Sequence, residues 1–263
     1  LISYYDILFL KQGCAVISNK VKEKIKMKNY RMNALMAGLL YFFGTVFGVA
    51  STVVGGEVIS SIVTNKPLYG LDLLELVATN SSRITGGTFL ILLMGISLVA
   101  MTVFLYPIFR KDSKELAMGM LLFRGALEGT YYFVSTMGFL TLVLLGNEYV
   151  ATAADSTALQ AIGNVLYQFQ TILGSVGTIV FLIGATCLYI SFYRTKLIPR
   201  WLSVWGLIGV VPYMAYALLH FFHIDNDVVF YLQMVLAPQE MVMALWLIIK
   251  GFDHAAIEKL MTD

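Results

Sequence analysis

The run from Leu116 to Leu145 constrains this chain most. It is long enough and apolar enough to cross a bilayer, yet it carries Arg124 and Glu128 near its middle. A spanning helix needs about 20 mostly apolar residues. Residues four apart on a helix share a face, one turn above the other. A charge at bilayer depth costs about 2.5–3.5 kcal/mol on insertion scales, so such groups face a protein interior and find partners there. Whatever else the chain folds into, it must supply a lipid-shielded interior around these two side chains.

Composition agrees with a membrane location. Of 263 residues, 59% are hydrophobic and 13% charged, with mean hydropathy +0.78. A soluble domain carries about 25% charged residues. The net charge of +2 points to no polyanionic partner. Cys14 and Cys187 are too few for a disulfide framework and have no metal-ligand spacing.

Six apolar segments are long enough to span: Ala34–Val54, Ile84–Phe109, Leu116–Leu145, Val165–Ile190 with a helical extension from Ser156 or Thr157, Trp201–Phe222, and Phe230–Ile249. With six spans, Lys28, Arg31, Arg110, Lys111, Lys114, Arg194, Lys196, Arg200, Lys250 and Lys259 all fall on one side. The other side has only Lys66 and Arg83 and carries Glu57, Asp72, Glu75, Glu148, Asp155, Asp225 and Asp227. The positive-inside rule then puts both termini in the cytoplasm. Tyr193, Trp201, Trp205 and Trp246 lie at cytoplasmic span ends, as interfacial anchors do. Between the first two spans, Leu71, Leu74 and Val77 share one helical face, which suggests a short helix lying on the outer interface.

Three regions follow. Residues 1–30 form a basic arm containing Lys20, Lys22, Lys24, Lys26 and Lys28, residues 31–252 form the spanning domain, and residues 253–263 form a cytoplasmic tail. The arm reads either as a segment that touches anionic headgroups or as an extension upstream of a start at Met27; the second is preferred. Residues 1–26 are expected to pack poorly.

Four phrases, in order, carry a family resemblance: RMNALMAGLLYFFGTVFG, FRGALEGTYYF, LIPRWLSVWGLIG and PQEMVMALWLIIKGF. With them the chain resembles the bacterial integral membrane proteins grouped as domain-of-unknown-function family 4386, over about Arg31 to Phe252. The matching positions are Arg83, Arg124, Glu128, Pro199, Trp201, Glu240, Trp246 and Gly251. The resemblance implies a helical membrane protein and supplies no catalytic assignment.

Candidate ligand- or ion-binding residues are Arg124, Glu128, Glu240, Gln168, Asn164 and Arg83. Glu240 sits near mid-depth of span six, two residues after Pro238, which removes a backbone hydrogen bond. Arg124 is a natural partner for both carboxylates. The competing reading is an ion-pair network that only fixes packing, and it is slightly favoured. In span four, Gln160, Asn164, Gln168, Thr171, Ser175 and Thr178 recur at helical steps. That stripe is expected to wall a polar cavity or to serve inter-helix hydrogen bonds. Gly44 with Gly48, and Gly125 with Gly129, are small-xxx-small pairs that suit close helix packing. His220, His223 and Asp225, with Asp227, are weak metal candidates, and a polar interfacial cap is preferred. No metalloprotease, nucleophile-elbow, phosphate-loop or dinucleotide motif is present, and nothing calls for a cofactor.

The reading is an all-α, six-transmembrane-helix bundle in a bacterial cytoplasmic membrane, with N and C termini inside. The leading function is a small-molecule or lipid binding or transport-like protein with a polar intramembrane cavity. The alternatives are an intramembrane enzyme acting on a lipid or small amphiphile, and a non-catalytic scaffold or partner protein. The expected partners are membrane lipids and a small-molecule ligand. Nucleic acid has no support beyond the arm, and oligomerisation is left open.

Overall fold

The computed structural model describes residues 4–64, 68, 72–152, 157–222, 224 and 231–262, with side chains from Met27 onward except Thr64 and Thr262. Every element among these residues is helical. In chain order they are α1 (Tyr4–Thr64), α2 (Leu73–Thr79), α3 (Ser81–Phe109), α4 (Lys114–Ala151), α5 (Thr157–Thr195), α6 (Arg200–Phe221), α7 (Tyr231–Ile249) and α8 (His254–Thr262). Six stretches are long and apolar enough to span: Met27–Val63 within α1, then α3, α4, α5, α6 and α7. The chain is a six-span helical bundle of the membrane class. The packing of residues 1–26 lies outside the described side chains, although the backbone there continues α1 back to Tyr4.

All six expected spans are present, but most are longer than their apolar runs. Helix α5 has 39 residues and α6 has 22, about 58 and 33 Å at 1.5 Å per residue. The hydrocarbon core is about 30 Å thick, so α6 nearly matches it and α5 overshoots.

Two apolar cores form. The larger joins the basic half of the bundle through Tyr41, Met101, Phe109, Leu182, Phe192, Leu202 and Leu247. The smaller, at the opposite end, gathers Val58, Ile59, Leu74, Val77, Ile84, Phe139 and Leu142. Helix α2 belongs to this second core. Leu74 and Val77 are buried against the bundle rather than turned to an interface, and Asp72 caps the helix by accepting from the Leu74 and Glu75 amides. The same carboxylate accepts from Tyr149 Oη at 2.8 Å and Gln160 Nε2 at 3.3 Å, which ties α2 to α4 and α5. Leu71 and Lys66 lie outside the described residues.

The first and last spans are tied at the basic end. Arg31 donates to the carbonyls of Leu247, Ile248 and Ile249, which the end of α7 leaves without helical partners. Gly251, at φ 75°, turns the chain immediately afterwards. The tail is ordered: Asp253 caps α8 through the Ala256 amide, and Ile257 is buried in the larger core.

Candidate functional site

The bundle brings Arg124, Glu128 and Glu240 together. Arg124 Nη1 donates to both Glu128 oxygens, at 2.7 and 2.8 Å. Its Nη2 lies 3.4 Å from Glu240 Oε1 and 3.2 Å from Tyr41 Oη. The Tyr41 hydroxyl donates to the same Glu240 oxygen, and Tyr132 donates to Glu128 Oε1 at 3.2 Å. The guanidinium stacks on Phe181, 4.2 Å from the ring centre, with Tyr41 at 5.3 Å. Four spans, α1, α4, α5 and α7, therefore contribute to one charged centre. Arg124 and Glu128 are 2% and 1% exposed and Glu240 is 15% exposed. Glu240 is the carboxylate with access.

The local backbone is built for this contact. From Leu121 to Leu127, α4 winds as a π-helix, a form that is rare and concentrated at functional sites. Gly184 of α5 packs directly on the Arg124 backbone nitrogen, and a Cβ there would meet backbone, not a side chain that could swing aside. Three unit charges in low dielectric are costly unless mutually satisfied, and most of the polar atoms here are. Arg124 Nε is buried with no acceptor among the described residues.

Arg124 and Glu128 are buried, and among the described residues Asn164 and Gln168 do not form a wall beside them. Asn164 and Gln168 are exposed on the outer side of α5. The reason is that Gly163, Gln170, Gly177 and Gly184 recur every seven residues and form the buried face. Small residues there admit Leu74, Tyr131 and the Arg124 backbone, and close approach of helices decides which face turns inward. Of the stripe, Gln160 bonds to Asp72 and Tyr149, and Ser175 is buried. The buried amide is Gln170, which donates to Ser135 O at 2.8 Å; its sequence signal was its place in the glycine heptad.

Arg83 is elsewhere. It is exposed at the start of α3 and donates to the carbonyls of Val53 and Val54, both at 3.4 Å. Gly56 breaks α1 just beyond them, with φ 69° and ψ −151°. Pro238 stands in the first α-helical turn of α7, after a 3-10 turn, and the nearby Val235 carbonyl accepts from Trp205 Nε1. His220 is buried and stacks on Tyr216, while His223, Asp225 and Asp227 lie outside the described residues. Among the described residues, no three His, Cys, Asp or Glu side chains are grouped to hold a metal. The glycine pairs serve packing: Gly44 and Gly48 meet Leu98 and Met94, and Gly125 and Gly129 meet Thr102 and Val99.

Sequence alone missed Tyr41 and Tyr132, which complete the centre. One tyrosine among 15 has no distinguishing neighbourhood in the chain. A groove of about 540 Å³ between α3 and α4, floored by Gly95, Gly125 and Gly129, also has Tyr132 in its wall.

Comparison with curated proteins and with solved structures finds no match. The family model described as "Domain of unknown function (DUF4386)" matches residues 36–251, which hold Tyr41, Arg124, Glu128 and Glu240. The chain is a six-span helical membrane protein that belongs to this family.

Proposed function

We propose that this chain is a binding or transport-like protein whose ligand engages the Arg124–Glu128–Glu240 centre inside the bilayer and brings positive charge to it, as a proton or a small cation. One observation carries this reading: a single guanidinium faces two carboxylates in a largely buried site. A structural network needs only one partner for Arg124, and Glu128 already takes it through two short bonds. Glu240 is the surplus acid, held through Tyr41 and a longer contact, and it keeps some exposure. It is the tenth residue of the 19-residue span Tyr231–Ile249, inside a segment apolar enough to cross a bilayer. Carboxylates within such segments mark ion and proton pathways in transport proteins. The basic end faces the cytoplasm of a bacterial cell by the positive-inside rule.

The test is reconstitution in vesicles loaded with a pH-sensitive dye, with proton entry followed under an imposed membrane potential and sodium entry in parallel. Wild type moves one of the two. Glu240→Gln abolishes that movement yet remains folded, while Asn164→Ala retains it. Equal behaviour of wild type and Glu240→Gln toward both probes would leave the charges as a packing device.

A further inference from the structure

Five side-chain polar atoms are buried without hydrogen-bond partners among the described residues, and three of them share one seam: Tyr189 Oη on α5, Ser203 Oγ on α6 and Gln239 Oε1 on α7. Native proteins leave few such atoms unsatisfied, and those that occur usually hold water. The three are linked to one another and to the charged centre. Tyr189 and Tyr41 are both fully buried in the larger core, and Tyr41 donates to Glu240. The Tyr189 ring packs against Gly206, one turn along α6 from Ser203. Gln239, next to Glu240 in the chain, donates to the Leu202 carbonyl at 3.0 Å, and Leu202 precedes Ser203. Leu202 and Ser203 belong to the first turn of α6, at the end that carries Arg200 and Trp201.

We infer that water occupies the α5–α6–α7 seam at these three atoms and forms a hydrogen-bonded route between Glu240 and the basic face. Each atom suits the part. Gln239 Oε1 accepts, and the two hydroxyls both donate and accept, so a water at each junction finds the polar partners it needs. The seam is sealed against lipid, because Tyr189, Leu202, Ser203, Gln239 and Met243 are all fully buried. The route gives a proton access to Glu240 from one side of the membrane only. Its purpose rests on the function proposed above; the presence of water does not.

Radiolytic hydroxyl labelling of the full chain in lipid nanodiscs tests it, because radicals born from enclosed water modify the side chains beside that water. Met243 Sδ lies 3.9 Å from Gln239 Nε2. Met101 on α3 and Met120 on α4 are as fully buried and belong to the same apolar core as Met243, but they stand on helices other than the three that form the seam, which makes them controls of the same chemistry. The expected result is several-fold more oxidation at Met243 than at either control, reduced in Ser203→Ala and further in Ser203→Ala with Gln239→Leu. Ser203→Ala only removes an unpartnered hydroxyl, so it is the variant to rely on should the double change misfold. Labelling of Met243 no greater than that of Met101 and Met120 overturns the hydrated seam. Flux that is sensitive to Glu240→Gln without such labelling keeps the charged centre and discards the route. Labelling without Glu240-dependent flux keeps the water and discards its proposed purpose.

Discussion

Arg124 and Glu240 stand 116 positions apart in the chain and 3.4 Å apart in space. Their contact joins the third span to the sixth, and Tyr41 of the first span closes it. Removing one member of a buried ion network leaves the others charged and unpaired, at a cost of about 3–5 kcal/mol. Arg124→Met should therefore lower the thermal midpoint of purified protein sharply. Arg124→Met combined with Glu128→Leu and Glu240→Gln should recover most of that loss. If the triple variant melts no higher than the single one, the charges are not each other's principal partners.

Gly184 and Gly177 offer a matched pair of probes. A Cβ at Gly184 meets the Arg124 backbone, whereas one at Gly177 meets the Tyr131 ring. Backbone in a π segment cannot swing aside. Gly184→Ala should cost about 1–3 kcal/mol as overpacking and should also disturb the Arg124–Glu240 contact. Gly177→Ala should cost less, and thermal melts of the two side by side decide it.

Gly56 combines φ 69° with ψ −151°, a region that is essentially reserved for glycine and costs other residues about 1–3 kcal/mol. Gly56→Ala should destabilise by that order. Arg83→Ala should act at the same place by releasing the Val53 and Val54 carbonyls. Hydrogen exchange should then quicken in α1 after residue 53 and leave the basic end unchanged.

The orientation of α5 can be read chemically. In detergent-solubilised protein, Gln168→Cys should react readily with a membrane-permeant thiol reagent, because that position is on the outer surface of the bundle, whereas Gln170→Cys should resist, because that position is buried. Replacing the native Cys14 and Cys187 first removes the competing thiols. Comparable rates at 168 and 170 would mean that the glycine-lined face does not turn inward.

Much of this architecture is legible in the chain. Six apolar runs declare six spans, because the bilayer fixes a minimum length and excludes charge. The few charges that break the rule, Arg124, Glu128 and Glu240, announce themselves for the same reason, and the bundle brings them together. Composition does not reveal which face of a polar-striped helix is inside. On α5 the stripe containing Asn164 and Gln168 suggested one face, and the heptad of Gly163, Gln170, Gly177 and Gly184 set another. Tyr41 and the π winding at Leu121–Leu127 were invisible because neither changes the apolar pattern. The α8 helix was missed because only one face of a short tail, around Ile257, meets the bundle.

The disparity between α5 and α6 has a consequence for the surrounding lipid. Even leaning at about 40°, near the limit seen for spanning helices, a rod of about 58 Å would rise about 44 Å along the bilayer normal, well past the hydrocarbon layer of about 30 Å. Helix α6, at 22 residues, stops near that layer's edge. Helix α5 therefore stands past that layer as a turret, with Leu74, Val77 and Leu142 packed in the second core. That turret carries its own apolar filling, so it does not depend on acyl chains to remain folded.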